Sequence, residues 1–403
     1  MKPLITPEQA DALLAAKGQA MQKTILMPFN KALNAVLAET VFSDRAYPPY
    51  SRATMDGIAF KQSDRQMGDT FLPLKHTQAA GQARTSLQAG TCTRIYTGAV
   101  LPEGADVVLR QEDVRFETQN GASYAYFSVP TESGQNIHPQ GSDLAAGQVV
   151  LEAGTVLRAK ELAVLATFGY ADVLVYKKPK VLVFSLGDEL VHPSQKNILS
   201  HQIRLSNAYS VGNLLKEWGL EADIHEVGIA DNLEAAQTFF MQASINYDLL
   251  ISTGGVSVGD TDHVLAACKY LNATPLFHGI SQRPGKPLLF AATPKVCIFG
   301  LPGNPVSAYV CTLRYVLPFL RHCANQASNP PDLISLGSKV YFKPELTYFL
   351  PVKVARKVVE PLPTNTSGDL FSLTKAYGVV ELPSHLSTFE AGSSWPVWKF
   401  SPD

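Results

Sequence analysis

The chain has 403 residues, with 34 Lys and Arg against 35 Asp and Glu, and 46% of it is hydrophobic. That length exceeds one ordinary domain and that apolar content fills real cores, so two to four domains are expected. A formal net charge of −1 argues against a nucleic-acid binder, which carries a basic excess, and no apolar run approaches the roughly 20 residues of a membrane helix.

The five cysteines, Cys92, Cys268, Cys297, Cys311 and Cys323, include no Cys-x-x-Cys pair. That disfavours a disulfide framework and a structural zinc site, and predicts free thiols in a reducing cytoplasm. The first residues lack the apolar core of a signal peptide, which agrees with a cytoplasmic location. Thr6 as N-cap, Pro7 at the first helical position and Gln9 closing a capping box open a first helix carrying Leu13 and Leu14. A second helix is expected over about 30–40, on Leu33, Val36 and Leu37. From 47 to about 150, short β-rich runs alternate with turns such as Pro102-Glu-Gly104 and Gln119-Asn-Gly121, which predicts a mostly β region. Three polar knots lie inside it: Ser51-Arg-Ala-Thr-Met-Asp-Gly57, Tyr96-Thr-Gly-Ala99 and Gly134-Gln-Asn-Ile-His-Pro-Gln-Gly-Ser-Asp143. On spacing alone each is a turn or part of a site. Helix returns over 160–169.

After Pro179 the texture changes to alternating strand and helix: strand 180–185, helix 207–218, strand 222–228, helix 232–243, strand 249–251, helix 263–271 and strand 296–299. The pattern predicts a doubly wound α/β domain with a parallel sheet. The centre of that domain is the stretch 248–262. The apolar run Leu249, Leu250, Ile251 suits a buried parallel strand, and Ser252-Thr-Gly-Gly-Val-Ser-Val-Gly-Asp260 ends it. Adjacent glycines leave backbone N–H groups uncovered at a strand's carboxyl end, which suits a phosphate held by Thr253, Gly254, Gly255 and Ser257. Taken alone the stretch reads first as a tight turn with a capping Asp; the flanking sequence shifts the balance toward a site. Glu189, Asp231, Asp260 and Asp262 also follow strand ends and are expected to share one rim, where they suit a divalent cation. Arg283-Pro-Gly-Lys-Pro287 places two cations on a loop stiffened by prolines. Gly300-Leu-Pro-Gly-Asn-Pro-Val-Ser307 opens a helix running to 319 and offers a second place for an anion, with Asn304 and Ser307 in it. The stretch 325–331 reads as a linker, and the last ~70 residues as a small β-barrel-like module. The domains expected are 1–176, with a β-rich insert over about 46–150, then 177–326 and 327–403.

Six of these motifs, in order over nearly the whole chain, resemble the MoeA family of molybdopterin molybdenumtransferases, to which gephyrin and plant molybdenum insertases are related. They are Ala53-Thr-Met-Asp-Gly57, Tyr96-Thr-Gly-Ala99, Ser185-Leu-Gly-Asp-Glu-Leu190, the Ser252 to Asp260 loop, Arg283-Pro-Gly-Lys-Pro287 and Gly300 to Ser307. The resemblance implies a multidomain α/β protein in which a molybdopterin-binding, MogA-like domain is flanked by a mostly β insert and a C-terminal β domain. It implies an enzyme that takes adenylyl-molybdopterin and molybdate, cleaves the phosphoanhydride with Mg²⁺ present, releases AMP and inserts molybdenum at the dithiolene. It further implies a homodimer whose cleft is lined by the α/β domain of one subunit and the N-terminal region of the other. Glu189, Asp231, Asp260 and Asp262 are then the metal candidates. Arg283, Lys286, Pro287, Asn304 and Ser307 are the oxyanion candidates, with Ser372 either a contributor from the C-terminal module or a plain β-surface serine. Asp56, Thr97 and Asp143 are the contributions of the partner subunit. Transient contact with the molybdopterin adenylyltransferase is also implied.

The chain departs from the family pattern at two places, with His138 and Pro351 where relatives often carry arginine. An oxyanion site short of a fixed guanidinium should hold molybdate less tightly. Two other activities fit parts of the pattern: a molybdopterin adenylyltransferase, which uses the same α/β domain, and a non-catalytic scaffold of the gephyrin type.

Overall fold

The computed structural model describes residues 4–256, 263–327, 330–362 and 368–402. Two compact units divide the chain: Met1–Met27, Ala32–Ala38 and Leu174–Asp403 form one, and Pro28–Lys31 with Glu39–Val173 form the other. The first helix, α1 (Pro7–Ala20), begins as its capping box requires: Gln9 N donates to Thr6 Oγ1 at 3.3 Å and Thr6 N donates to Gln9 Oε1 at 2.9 Å. It groups with the unit that holds Leu174–Asp403, whereas the three-part division from sequence puts it in the N-terminal region.

The helix expected over 30–40 is absent. Phe29–Lys31 makes a single 3₁₀ turn, and Asn34 then takes φ 61°, which no right-handed helix accommodates. Ala35, Val36 and Leu37 are all buried in succession, so the apolar residues there line no single helical face.

The other unit carries β1 (Arg52–Ala53), β2 (Gly57–Phe60), β3 (Thr70–Gln78), β4 (Cys92–Ile95), β5 (Val107–Arg110), β6 (Arg115–Gln119), β7 (Ala122–Phe127) and β8 (Ile137–His138). Six of these form one sheet in the order β5-β2-β4-β3-β7-β6, and β8 pairs β1 antiparallel with His138 opposite Arg52. Alternate residues of this sheet face two cores: Ile58 and Phe60 lie in one, Ala59 and Val108 in the second. Helix α2 (Ala159–Thr167) follows.

In the larger unit the chain alternates as the sequence predicts: β9 (Val181–Ser185), α3 (Asn207–Glu217), β10 (Asp223–Ile224), α4 (Leu233–Asn246), β11 (Leu249–Thr253) and α5 (His263–Tyr270). Then come β12 (Thr274–His278), β13 (Gln282–Arg283), β14 (Leu289–Ala292), β15 (Cys297–Leu301) and α6 (Pro305–Cys311). A π-helical turn (Thr312–Val316) leads into α7 (Leu317–Cys323). The sheet order is β10-β9-β11-β15-β14-β12. Its first four strands are parallel, and β14 and β12 extend it antiparallel. The strands β9, β11 and β15 are buried at every position, with Val183 and Ile251 in the core of one face and Leu182 and Leu250 in that of the opposite face. A continuous apolar run rather than an alternating one is what burial on both faces demands.

The last segment contains β16 (Asp332–Ser335), β17 (Thr347–Ala355), β18 (Val358–Pro361), the one-turn helix α8 (Leu370–Leu373), β19 (Gly378–Leu382) and β20 (Ser394–Lys399). Its sheet runs β13-β17-β19-β20-β16, with β18 on β17. The strand β13, from the α/β segment, therefore joins this sheet and fixes Arg283 opposite Tyr348. Among the described residues, no helix is long and apolar enough to cross a membrane.

Candidate functional site

The parallel strands deliver their carboxyl ends to one rim. Ser185 ends β9 and Thr253 ends β11, and their hydroxyls are 2.5 Å apart in the interior. Leu186 N donates to the Thr253 carbonyl, Gly187 N to the Ile229 carbonyl and Gly254 N to the Leu301 carbonyl, so the loops after β9, β10, β11 and β15 are tied side by side. Gly254 has φ 82°, and a Cβ placed on it would fall 2.5 Å from the Leu186 carbonyl oxygen. Only glycine lets these two loops touch. A cavity of about 110 Å³ opens at this rim, lined among others by Ser185, Glu189, Asn207, Thr253, Gly254 and Gly303.

Acidic groups gather beside it. Asp188 Oδ1 accepts from Asp231 N at 3.0 Å. The Glu189 carboxylate folds back over Gly187, where an added Cβ would lie 2.8 Å from Oε2. Asp231 Oδ1 is buried and has no hydrogen-bond partner among the described residues. Burial pushes the Asp231 carboxyl above its ordinary range; His263 opposes the shift, and the like charges of Asp188 and Glu189 add to it. Of the expected carboxylates, Glu189 and Asp231 thus share a neighbourhood. Asp260 and Asp262, with Ser257, lie outside the described residues. Among the described residues no three His, Cys, Asp or Glu side chains form a metal-holding group. The donors are nevertheless suited to Mg²⁺, which takes oxygen ligands, keeps several waters and needs only one or two carboxylates.

The basic loop packs against α6, the helix whose start lies at this rim. Gly303, just before the N-cap residue Asn304, lets the chain pass close to the Gly254 loop, since a Cβ on it would sit 3.5 Å from Gly254 Cα. Further along α6, the Ser307 carbonyl is 3.8 Å and Cys311 Sγ 2.4 Å from a Cβ placed on Gly285. Arg283 and Lys286 are exposed on either side of Gly285, while Ser307 itself is buried. Pro287 is half-buried. Ser372 corrects one expectation: it is no β-surface residue but lies in α8, is buried, and donates its hydroxyl to the Asp369 carbonyl at 2.8 Å. Pro351 is buried in β17 opposite Val379 and offers no cation.

The second unit brings its three polar knots together. Gly98 N donates to the Ala53 carbonyl and Thr54 N to the Asn136 carbonyl, both at 2.9 Å. Asp56 Oδ1 accepts from Thr97 N at 2.8 Å and from Thr97 Oγ1 at 2.7 Å, which holds the Asp56 carboxyl below its ordinary range. His138 Nε2 lies 2.8 Å from Asp143 Oδ1, and Arg52 Nη2 lies 3.4 Å from His138 Nδ1. Arginine only donates, so Nδ1 accepts and the neutral ring carries its proton on Nε2, facing Asp143. A guanidinium therefore stands directly behind His138, from Arg52, which the sequence places in the first polar knot without a role of its own. Asp188, Asn207 and His263 are likewise site residues that sequence reasoning passed over; Asn207 read only as a helix start.

Comparison with known proteins covers most of the chain. Residues 5–169 match the MoeA N-terminal region (domain I and II), residues 182–322 a probable molybdopterin binding domain, and residues 334–400 the MoeA C-terminal region (domain IV). A protein of Synechocystis sp. named molybdopterin molybdenumtransferase is 35% identical over 380 residues, covering 92% of this chain and 94% of that one. One of the same name from Haemophilus influenzae is 33% identical over 83% of this chain and 82% of its own. The crystal structure of a molybdopterin biosynthesis MoeA protein from Pyrococcus horikosii superposes with a TM-score of 0.84 at 28% identity, covering 100% of both chains.

Proposed function

The chain belongs to the MoeA family, and from that premise we infer that it is a molybdopterin molybdenumtransferase, an enzyme that inserts molybdenum during molybdenum cofactor biosynthesis. We propose further that its substrates are adenylyl-molybdopterin and molybdate and that AMP is released. The observation that carries this finer reading is the buried Asp231 oxygen, without a hydrogen-bond partner among the described residues and crowded by Asp188 and Glu189.

Each residue set has a task in that reaction. Of the backbone N–H groups at 253–255, that of Gly254 is taken by the Leu301 carbonyl, so the phosphate is received at Gly255, which no side chain covers. Asp231 and Glu189, together with Asp260 and Asp262, would hold Mg²⁺, which would offset the charge that develops as the phosphoanhydride breaks. Arg283 and Lys286 bind and orient the molybdate dianion. In a homodimer, Asp56, Thr97 and Asp143 of the partner would complete the cleft. The protein works in the cytoplasm and meets the adenylyltransferase that makes its substrate.

The test is AMP release from adenylyl-molybdopterin, with and without molybdate and Mg²⁺. Release that needs both, and is lost in Asp231→Asn, supports the reading. Consumption of ATP with molybdopterin would make the protein an adenylyltransferase, and no turnover of either would leave a scaffold.

A further inference from the structure

The loop bearing Arg283 and Lys286 rests on buried polar side chains that the reaction above leaves unused. Gln282 and Tyr315 are both 0% exposed. The Tyr315 hydroxyl donates to Gln282 Oε1, and burial keeps that phenol neutral by pushing it well above its ordinary range. The other end of the same amide faces the loop: Gln282 Nε2 donates to the Pro284 carbonyl at 3.0 Å and to Cys311 Sγ at 3.6 Å. Gly285 closes the packing at φ 89°, with no room for a Cβ between Cys311 Sγ at 2.4 Å and Gln282 Nε2 at 2.7 Å. Tyr315 comes from the π-helical turn, a rare form that recurs at functional sites. That turn is itself pinned, because neighbouring Arg314 is held by Asp11 and Glu381 and stacks at 5.0 Å over the Tyr315 ring. A buried amide is costly to leave half satisfied. The loop is thereby restricted to one backbone shape, with its two cations at one spacing.

We propose that Gln282 and Tyr315 are positioning residues for the oxyanion: the chain Tyr315–Gln282–Pro284 sets the spacing of Arg283 and Lys286, so affinity for molybdate depends on a buried phenol that never touches it. This rests on the reading of Arg283 and Lys286 as the molybdate-binding cations.

Tyr315→Phe and Gln282→Met conserve volume and remove the hydrogen bonds. On the full-length protein, molybdate binding is measured by titration calorimetry and adenylyl-molybdopterin binding separately in the absence of molybdate. Each variant is expected to weaken molybdate binding about tenfold and to leave pterin nucleotide binding unchanged. The double variant should be no worse than the weaker single one, because the two changes break one chain. Near-UV circular dichroism checks the fold, and if Gln282→Met does not fold, the gentler Tyr315→Phe decides. A folded Tyr315→Phe that binds molybdate as tightly as wild type, or that loses both ligands equally, overturns the proposal. Arg283→Ala and Lys286→Ala separate the two levels. If they weaken molybdate binding and Tyr315→Phe does not, only the positioning role fails; if they too leave it intact, the loop is not the oxyanion site and both readings fall.

Discussion

Folding moves the carboxyls of Asp231 and Asp56 in opposite directions, for different reasons. Asp231 rises above 3.8, mainly because it is buried; Asp56 falls below 3.8, mainly because Thr97 donates to it twice. For Asp231 the folded protein holds more protons than the unfolded chain between the two values, so stability declines as pH rises through that window and the penalty is fully present above it. Asp231→Asn removes the charge that burial penalises. In chelator at pH 7 it should melt at a higher temperature than wild type, and the gap should close as pH falls below the ordinary value of 3.8. AMP release should fall by about a hundredfold or more. A melting temperature at or below that of wild type at pH 7 would show that the buried charge is no burden. For Asp56 the sign reverses: the folded state sheds its proton earlier, so the Thr97 contact stabilises the protein at neutral pH and is lost as pH drops through the lowered value. Thr97→Val deletes the hydroxyl donor and keeps the backbone one. Carboxyl NMR should then show Asp56 titrating closer to its ordinary value, while an unchanged titration would assign the whole shift to the Thr97 N–H.

Among the elements, the turn at Gly254 leaves no room for a side chain. In Gly254→Ala the new methyl meets a left-handed φ of 82° and the Leu186 carbonyl oxygen at 2.5 Å. Leu186 cannot withdraw freely, since its own N–H is bonded to the Thr253 carbonyl. A loss of about 2–4 kcal/mol is expected from backbone strain and collision together, read from the denaturant midpoint; a loss below about 0.5 kcal/mol would mean that the loops part easily. This glycine was legible in the sequence because a Thr-Gly-Gly run after an apolar strand has few structural uses. So was the alternation of strand and helix from Val181 to Tyr270, whose central strands β9 and β11 carry buried apolar runs. Other elements were not legible, for physical reasons. The segment 30–40 has helical spacing of apolar residues, but Asn34 takes the left-handed conformation and tertiary burial of Ala35 to Leu37 overrides the periodicity. The strands β12 and β14 lie between turns and extend the sheet antiparallel, a choice that depends on neighbours and not on local sequence. Ser372 looked like strand because its flanks are apolar; Asp369 caps a single helical turn there instead, with its Oδ1 accepting from Ser372 N at 3.2 Å. The pairing of Asp56 with Thr97, 41 positions away, was not legible either, since the motif resemblance named both residues without joining them.

At the scale of the whole chain, one buried arginine joins segments that the sequence keeps far apart. Arg314 donates to Asp11 Oδ1 at 2.6 Å and Oδ2 at 2.8 Å, 303 positions away, and to Glu381 Oε2 at 3.0 Å, 67 positions away. Its guanidinium also lies 4.6 Å from the Trp398 ring, and Trp398 Nε1 donates to Glu381 Oε2 at 2.7 Å. The first helix, the π-helical turn behind the basic loop and the C-terminal sheet thus converge on one side chain. The partners are unequal: the side chains of Arg314 and Glu381 are 7% and 14% exposed, that of Asp11 43%. Burial therefore predicts an unequal response. Arg314→Ala strands Glu381 in the interior with the Trp398 N–H as its remaining donor, and should cost about 3–5 kcal/mol. Asp11→Asn leaves the buried pair intact and affects only a solvated contact, worth about 1 kcal/mol or less. Arg314→Leu combined with Glu381→Gln removes both interior charges and should recover much of the loss. Urea unfolding of the three variants measures the order. If Asp11→Asn were as damaging as Arg314→Ala, the attachment of the first helix, and not the buried charge of Glu381, would be what the arginine protects.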